Sequence, residues 1–179
     1  MKKKDKLKKE EIIEKAREMF SQTPFEGVSM NEIAKSLGVT KPALYYHFKN
    51  KEEIYKKAIE ESILKFKKTI SKITDEKKPE RMLEEIIERY FSFVLKEKNF
   101  IRILFYNFSS PSKKIKKYLK SSRQEFLKEI EKKLKEASFS QNALFLISLI
   151  NNLALLKNSF SHSEKKKICY QIKNFLLKI

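Results

Sequence analysis

A short predicted helix that begins at Lys41 concentrates side chains able to contact a nucleic acid. Leu44 and Phe48 are four residues apart, so they share one face of this helix and can pack inward. The residues left on the outer face are Lys41, Pro42, Tyr45, Tyr46 and His47. Lysine, threonine and tyrosine at the leading end of a helix can reach base edges, the thymine methyl group and phosphates in a major groove. An alternative interpretation is that the two tyrosines are half-buried packing residues.

The residues before this helix predict the first half of a helix-turn-helix. Ser29 and Glu32 have the Ser-x-x-Glu spacing of a capping box, in which hydroxyl and carboxylate each accept a backbone N–H. A helix therefore begins at about Met30. Gly38 supplies a left-handed turn that a residue with a Cβ atom resists, so this helix ends there.

The second helix of the motif has its own start signal. Thr40 can cap it, and Pro42 lies in the first turn, where a missing backbone N–H costs nothing. We therefore expect a helix from Lys41 to about Phe48. Its inward residues can dock on the apolar side of the preceding helix, which holds the outer face in a fixed direction.

A second capping signal follows at Asn50 and Glu53, so Lys51 opens the next helix. The N-terminus of a helix offers unpaired N–H groups and partial positive charge to a phosphate. We expect Lys51 to contact the DNA backbone. The alternative is a lysine that is simply solvated, because lysine is abundant in this chain.

Residues 38–55 resemble the signature of TetR-family transcriptional regulators; they are Gly-Val-Thr-Lys-Pro-Ala-Leu-Tyr-Tyr-His-Phe-Lys-Asn-Lys-Glu-Glu-Ile-Tyr. The resemblance extends upstream through residues 12–20 and 25–29. It implies an all-α homodimer whose N-terminal three helices bind a palindromic operator. The family's DNA-contacting positions fall on Ser29, Thr40, Lys41, Pro42, Tyr45, Tyr46, His47 and Lys51. Family members often have Gly or Ala at the position of Pro42.

The resemblance also implies two domains with different functions. Residues 1–50 would form the helix-turn-helix DNA-binding domain, and residues 51–179 a helical domain for effector binding and dimerisation. Effector binding would move the helix that begins at Lys51 and release the DNA. The predicted function is a ligand-responsive transcriptional repressor.

The charge of the chain favours a polyanionic partner. Its 179 residues include 41 Lys and Arg and 23 Asp and Glu, for a net charge of +18, which predicts salt-sensitive binding. Residues 1–50 carry only +4 of this charge, and residues 51–179 carry the other +14. The excess can also be a solubility or habitat trait. It equally supports an alternative function, a non-specific or architectural DNA-binding protein.

The N-terminal residues 1–9 are strongly basic and are followed by Glu10 and Glu11 instead of an apolar segment. They predict neither a secretory signal nor a membrane anchor, so we expect a cytoplasmic protein. The segment is either an arm that lies along phosphates or in the minor groove, or a frayed and solvated end. These two alternatives have equal support.

The sequence contains no residues that support a disulfide, a metal site or an enzyme active site. The single cysteine, Cys169, excludes an internal disulfide, and its apolar neighbours favour packing over redox sensing. His47 and His162 are far apart, so no metal site is predicted. No nucleophile, base and orienting group occur in a recognisable arrangement, and no Gly-rich phosphate loop is present. We therefore expect no catalytic residues and no cofactor.

The rest of the chain has helical periodicity throughout. Residues 137–156 contain no Asp, Glu, Lys or Arg, but serine and asparagine interrupt the apolar run, so we reject a membrane span. A helix that is apolar around most of its circumference must be covered on several sides. We expect this helix and the last one to form a four-helix homodimer interface. Asn151 and Asn152 would either fix its register or face solvent.

Aromatic residues are frequent after position 90, which suits a small apolar or aromatic effector. Most of these residues are explained by ordinary core packing. The three candidates for the lining of an effector pocket are Tyr90, Phe105 and Tyr118.

Overall fold

The computed structural model describes residues 9–73, 78–106, 113–139, 143–157 and 159–178, which contain α-helices and no β-strand. The helices are α1 Lys9–Gln22, α2 Met30–Ser36, α3 Lys41–His47, α4 Lys51–Ile70, α5 Pro79–Lys96, α6 Lys98–Ile101, α7 Lys113–Glu136, α8 Ala143–Leu156 and α9 His162–Leu176. A 3-10 turn, Phe25–Gly27, precedes α2, and a π-helical segment, Arg102–Tyr106, follows α6. The predicted all-α fold class is confirmed.

The start and the end of α2 follow the predicted chemistry. The Ser29 hydroxyl accepts the Glu32 N–H at 3.1 Å, and the Glu32 carboxylate accepts the Ser29 N–H at 2.7 Å. Gly38 has φ +66°, in the left-handed region that favours glycine. The Val39 N–H then donates to the Ala34 carbonyl at 3.0 Å, which closes the turn.

The capping hydrogen bond predicted for Thr40 is wrong. Thr40 is the N-cap residue of α3, but its side chain makes no capping hydrogen bond. The second helical residue, Pro42, has no N–H to donate. The N–H of Ala43 donates instead to the backbone carbonyl of Thr40 at 3.0 Å. The two backbone groups that normally bond to a capping hydroxyl are therefore not available to it.

The core formed by residues after Lys51 contains an aromatic cluster centred on Phe126 of α7. The closest ring is that of Phe66 on α4, stacked at a centroid distance of 4.1 Å. The other rings within about 6 Å are those of Tyr90, Phe93, Phe100 and Phe105. Helix α5 contributes an apolar stripe to the core, in which Leu83, Ile86, Ile87, Tyr90, Phe91 and Val94 are all buried. The cluster therefore joins α4, α5, α6 and α7.

A buried arginine ties the helix-turn-helix to this core. Arg17 of α1 is only 3% exposed, and its guanidinium donates to the Glu97 carboxylate at 3.0 Å. Glu97 lies between α5 and α6 and also accepts hydrogen bonds from Ser62 and Lys65 of α4. Arg17 contacts Glu61 of α4 at 3.8 Å as well. One guanidinium thus connects α1, α4 and the junction of α5 with α6.

The last two helices differ from the prediction in two ways. The chain turns at residues 137–139, with φ +66° at Ser138, so α8 begins at Ala143 instead of Ala137. Asn151 is buried, and its side-chain oxygen accepts the Tyr90 hydroxyl at 2.7 Å. It therefore neither faces solvent nor serves an interface. Asn152 is exposed and donates to the Ser148 carbonyl.

Cys169 of α9 packs against the core, as predicted, and its side chain is only 3% exposed. Burial raises the pKa of its thiol to about 11. No helix within the described residues is long and apolar enough to cross a membrane. In the same residues, no three His, Cys, Asp or Glu side chains are grouped so that they could hold a metal ion.

Several predicted features fall outside the described residues. The basic segment 1–9 does so except for Lys9, whose ammonium lies 5.7 Å from the centre of the Phe48 ring. Pro111 also falls outside. The aromatic residues from Phe100 to Tyr106 are divided between α6 and the π-helical segment.

We predict that Arg17→Met destabilises the fold, because Glu97 would lose its buried cation and keep only the ammonium of the exposed Lys65. Removing one partner of a buried ion pair costs about 3 kcal/mol or more of the free energy of unfolding. The measurement is urea unfolding followed by circular dichroism at a fixed protein concentration. Lys15→Met is the control on the same helix, because its pair with Glu18 is partly exposed and contributes about 0.5 kcal/mol. Equal stability of the two variants would contradict the structural role of Arg17.

Candidate DNA-binding interface

The outer face of α3 is open to solvent. Tyr46 is 78% exposed and Tyr45 is 47% exposed, so neither is the half-buried packing residue of the alternative interpretation. Thr40, Lys41 and Pro42 at the leading end of the helix are also exposed. The Lys41 ammonium lies 5.9 Å from the centre of the Tyr45 ring. The face therefore presents one cation, two phenols and one hydroxyl within two helical turns.

The inner face of α3 holds this surface in position. Leu44 is fully buried and Phe48 is 3% exposed, and both belong to the same core as Ala34 of α2. Because α3 has only seven residues, these anchors rather than the helix itself supply its stability. A face fixed in this way can contact DNA without a large loss of conformational entropy.

His47 differs from the other predicted contacts of α3. It is half-buried, and its ring packs edge-on against that of Tyr46 at a centroid distance of 5.1 Å. The described geometry therefore places His47 beside Tyr46, at the trailing end of the face. From this position, the His47 ring can hold the Tyr46 ring in its orientation or can itself contact DNA.

Ser29 lies at the N-terminus of α2 and is exposed. Its hydroxyl accepts a hydrogen bond within the capping box, so the oxygen is already used. Hydrogen bonds from Ser29 lower the pKa of the Glu32 carboxyl. The hydrogen of the hydroxyl is not part of the cap, and a phosphate oxygen is a suitable acceptor for it.

Lys51 points toward the protein rather than outward. Its ammonium donates a hydrogen bond to the Phe25 carbonyl and lies 4.1 Å from the centre of the Phe25 ring. Burial lowers its pKa, against the attraction of Glu26 and Glu32. The predicted capping of α4 holds in part: Asn50 accepts the Glu53 N–H, but the Glu53 carboxylate accepts the N–H of Lys49. The side chain of Lys51 thus braces the loop before α2.

Two of the three candidate pocket residues belong to the aromatic cluster. Tyr90 is fully buried, 6.1 Å from Phe126, and burial raises the pKa of its hydroxyl well above the ordinary value. Phe105 is half-buried and meets Phe126 edge-on at 5.6 Å. Both residues therefore contact the same ring from different helices.

Tyr118 lies elsewhere, on the surface between α4 and α7. It is eight residues before Phe126 on α7, which is about 12 Å at 1.5 Å per residue. Its hydroxyl donates to the Lys56 carbonyl at 3.2 Å, and burial raises its pKa to about 12. It lines a shallow groove together with Glu60, Leu64 and Lys67. The structure therefore places Tyr118 apart from the other two candidates.

Arg17 is the functional residue that the sequence analysis missed. It follows Ile13 by four residues and precedes Phe20 by three, so it lies on the apolar stripe of α1. A single cation on an otherwise apolar stripe is a signal for a buried ion pair. Its partner Glu97, 80 residues away, has no such local signal.

A scan against known protein families matches residues 12–58 to the family described as "Bacterial regulatory proteins, tetR family". The matched segment begins in α1 and ends in α4, so it contains the whole helix-turn-helix described above. The helix-turn-helix segment of the chain is therefore of the TetR type. A Staphylococcus epidermidis relative, "Biofilm operon icaADBC HTH-type negative transcriptional regulator IcaR", is 44% identical over 52 residues. This match spans only 29% of the chain and 28% of IcaR.

Solved structures extend the likeness to the rest of the fold. FadR from Bacillus subtilis, in complex with stearoyl-CoA, has a TM-score of 0.72 and 17% identity, covering 94% of this chain and 97% of FadR. AibR, in complex with isovaleryl coenzyme A and operator DNA, has a TM-score of 0.73 and 18% identity, covering 93% and 96%. These structures share the all-helical architecture. The family and the named relatives are regulators and not enzymes, in agreement with the expectation from sequence.

We predict that Tyr46→Ala lowers the affinity for operator DNA about tenfold or more, because one good base contact contributes about 1–3 kcal/mol. Tyr46→Phe keeps the ring and removes the hydroxyl, so it separates apolar contact from hydrogen bonding. Tyr106→Ala is a control that removes another exposed tyrosine, outside α3. Fluorescence anisotropy with labelled DNA measures all three. The same affinity for Tyr46→Ala and Tyr106→Ala would show that the outer face of α3 does not contact the bases.

Proposed function

We propose that the protein is a transcriptional repressor that binds a palindromic operator as a homodimer and is released by a small-molecule effector. The observation that carries the proposal is the outer face of α3, where Lys41, Tyr45 and Tyr46 are exposed while Leu44 anchors the helix. A short anchored helix with this face fits a major groove. The description of IcaR as a negative regulator supports repression over activation.

Exposed apolar side chains on α8 and α9 support the homodimer. They are Leu144, Phe145, Tyr170, Phe175 and Leu177, each more than 40% exposed. The rings of Phe145 and Phe175 stack at 5.2 Å, so the two helices share this surface. Contiguous apolar surface of this kind is typical of a protein interface. A two-fold dimer through it would place two copies of α3 about 34–36 Å apart in successive major grooves.

The aromatic cluster around Phe126 supports an apolar or aromatic effector. Its rings come from four helices and the π-helical segment, and together they form an apolar and aromatic part of the core. FadR and AibR, which share the fold, bind the coenzyme A thioesters named in their structures. We infer that the effector is a molecule with an acyl or aromatic group, and that Tyr90 and Phe105 contact it.

Helix α4 would transmit effector binding to the DNA. Phe66 of α4 stacks directly on Phe126, and only three residues separate the end of α3 from the start of α4. A ligand that enters between these rings displaces α4. In a dimer, the displacement changes the separation of the two α3 helices, so one operator no longer fits both.

The proposal is tested with the DNA immediately upstream of the protein's own gene, because regulators of this family often control their own genes. Anisotropy is measured across a salt series with excess scrambled DNA present. We expect binding that survives the competitor with an advantage of about 10³-fold or more, at two subunits or a multiple per site.

The net charge of +18 favours one other candidate function, an architectural DNA-binding protein. Such a protein would bind scrambled and upstream DNA equally. Loss of the signal in proportion to the added competitor would therefore support the architectural protein and contradict the repressor.

We predict that Phe175→Glu weakens the homodimer, because it places a charge in the centre of the proposed interface. Loss of an interface anchor typically costs about 2 kcal/mol, or roughly a 30-fold increase in the dimer dissociation constant. Light scattering after size exclusion, at several protein concentrations, measures the effect. Leu64→Glu is the control, because Leu64 is an exposed apolar residue of α4. A monomeric native protein, or equal behaviour of both variants, would rule out dimerisation through α8 and α9.

A further inference from the structure

The first half of α7 carries a dense group of positive charges. Residues 113–124 include six basic side chains and no acidic one. Five of these are exposed lysines in the first eight residues of the helix: Lys113, Lys114, Lys116, Lys117 and Lys120. We call these five residues the α7 lysine cluster. It is part of the +14 charge of residues 51–179, which the contacts of α3 do not explain.

This arrangement is unfavourable for the helix itself. The N-terminus of a helix carries partial positive charge, so the lysines repel the helix end as well as each other. The first turn of α7 contains no acidic residue, whereas α1, α2, α4, α5 and α9 each have glutamate there. The stability of the helix therefore does not account for the cluster. A negatively charged partner would offset this repulsion.

The cluster lies at the same end of the molecule as the helix-turn-helix, because α4 and α7 run parallel. Contacts between the two helices and their C-terminal turns advance in the same direction along both. In order, they join Glu52 to Lys114, Lys56 to Tyr118, Lys67 to Glu125 and Ile73 to Lys133. The N-termini of α4 and α7 are therefore neighbours.

The first of these contacts places the cluster next to the proposed DNA-binding surface. The Lys114 ammonium lies 3.1 Å from the carboxylate of Glu52, the second residue of α4. Only three residues separate α3 from α4, so the cluster continues the surface formed by α3 and the start of α4. A DNA duplex carries about one negative charge per 1.7 Å of its axis, and it extends beyond the bases that α3 contacts.

We propose that the α7 lysine cluster binds the phosphate backbone of the same DNA duplex, beside the half-site that α3 occupies. The inference rests on the proposed function, since it assumes that α3 faces DNA. The partner is identified by charge complementarity and by continuity with that face. The cluster contributes affinity and salt dependence but no base specificity, because phosphates are alike in every sequence.

The test compares two triple variants of one helix. The first carries Lys116→Gln, Lys117→Gln and Lys120→Gln, and it retains Lys114, which is paired with Glu52. The matched control carries Lys128→Gln, Lys132→Gln and Lys135→Gln, which are exposed lysines in the second half of α7. Both variants have the same net charge. Their affinities for the upstream DNA and for a random duplex are measured as a function of potassium chloride concentration.

We expect the logarithm of the affinity of the cluster variant to fall less steeply with the logarithm of salt concentration. The slope changes by about 0.9 for each phosphate that a lysine no longer neutralises, or about 2.7 for three. We expect this change on both DNAs, and a smaller change in the control variant. Equal slopes for the two triple variants would overturn the proposal, even if native protein still selects the upstream DNA.

The outcome also separates this proposal from the repressor function. If the native protein selects no sequence but the cluster variant still has the shallower slope on random DNA, the lysine contact stands and sequence-specific repression fails. If the cluster variant keeps the native slope on DNA but no longer binds phosphatidylglycerol vesicles that the native protein binds, the partner is a membrane surface and the proposal is wrong.

A second measurement uses the native protein alone. Lysines are acetylated with and without a random duplex and are then quantified by mass spectrometry. We expect DNA to protect Lys116, Lys117 and Lys120 at least severalfold more than Lys128, Lys132 and Lys135. Equal protection of both groups would contradict a localised contact.

Discussion

The buried ion pair between Arg17 and Glu97 is the constraint on which the relation between the two ends of the molecule depends. A charge that has lost its water is stable only while its counter-charge stays within a few ångströms, so the two residues move together. Arg17 belongs to α1, whose Phe20 packs edge-on against Tyr55 at 4.8 Å. Glu97 belongs to the junction of α5 and α6, beside the aromatic cluster. A shift of this junction would therefore act on α1 through the ion pair.

Helix α4 connects α3, Glu97, the aromatic cluster and α7. Its first residue follows α3 closely, its middle supplies Ser62 and Lys65 to Glu97, and Phe66 stacks on Phe126. Helix α4 also runs parallel to α7, so the α7 lysine cluster lies at the same end of the molecule as α3. In the proposed function, one helix thus aligns the face that contacts bases, positions the cluster that contacts phosphates, and receives the displacement from the effector.

Sequence reasoning succeeded where structure depends on near neighbours in the chain. The capping box of Ser29 and the left-handed turn at Gly38 follow from groups within four residues, and Leu44 faces inward because of helical spacing alone. It did not find the partners of Arg17 or the direction of Lys51, because both depend on residues that are distant in sequence. The outward face of α3 was therefore predictable from the sequence. The contact of Lys51 with Phe25 and the ion pair of Arg17 with Glu97 were not.

The most direct test of sequence-specific binding by α3 is selection from a random pool of DNA duplexes, because it assumes nothing about where the operator lies. Native protein and Tyr46→Ala are each used to enrich bound duplexes over several rounds, and the products are sequenced. We predict that the native protein enriches an inverted repeat whose half-sites are about one helical turn apart, and that Tyr46→Ala loses or alters the preference within each half-site. A pool that remains random after selection by the native protein would contradict the account.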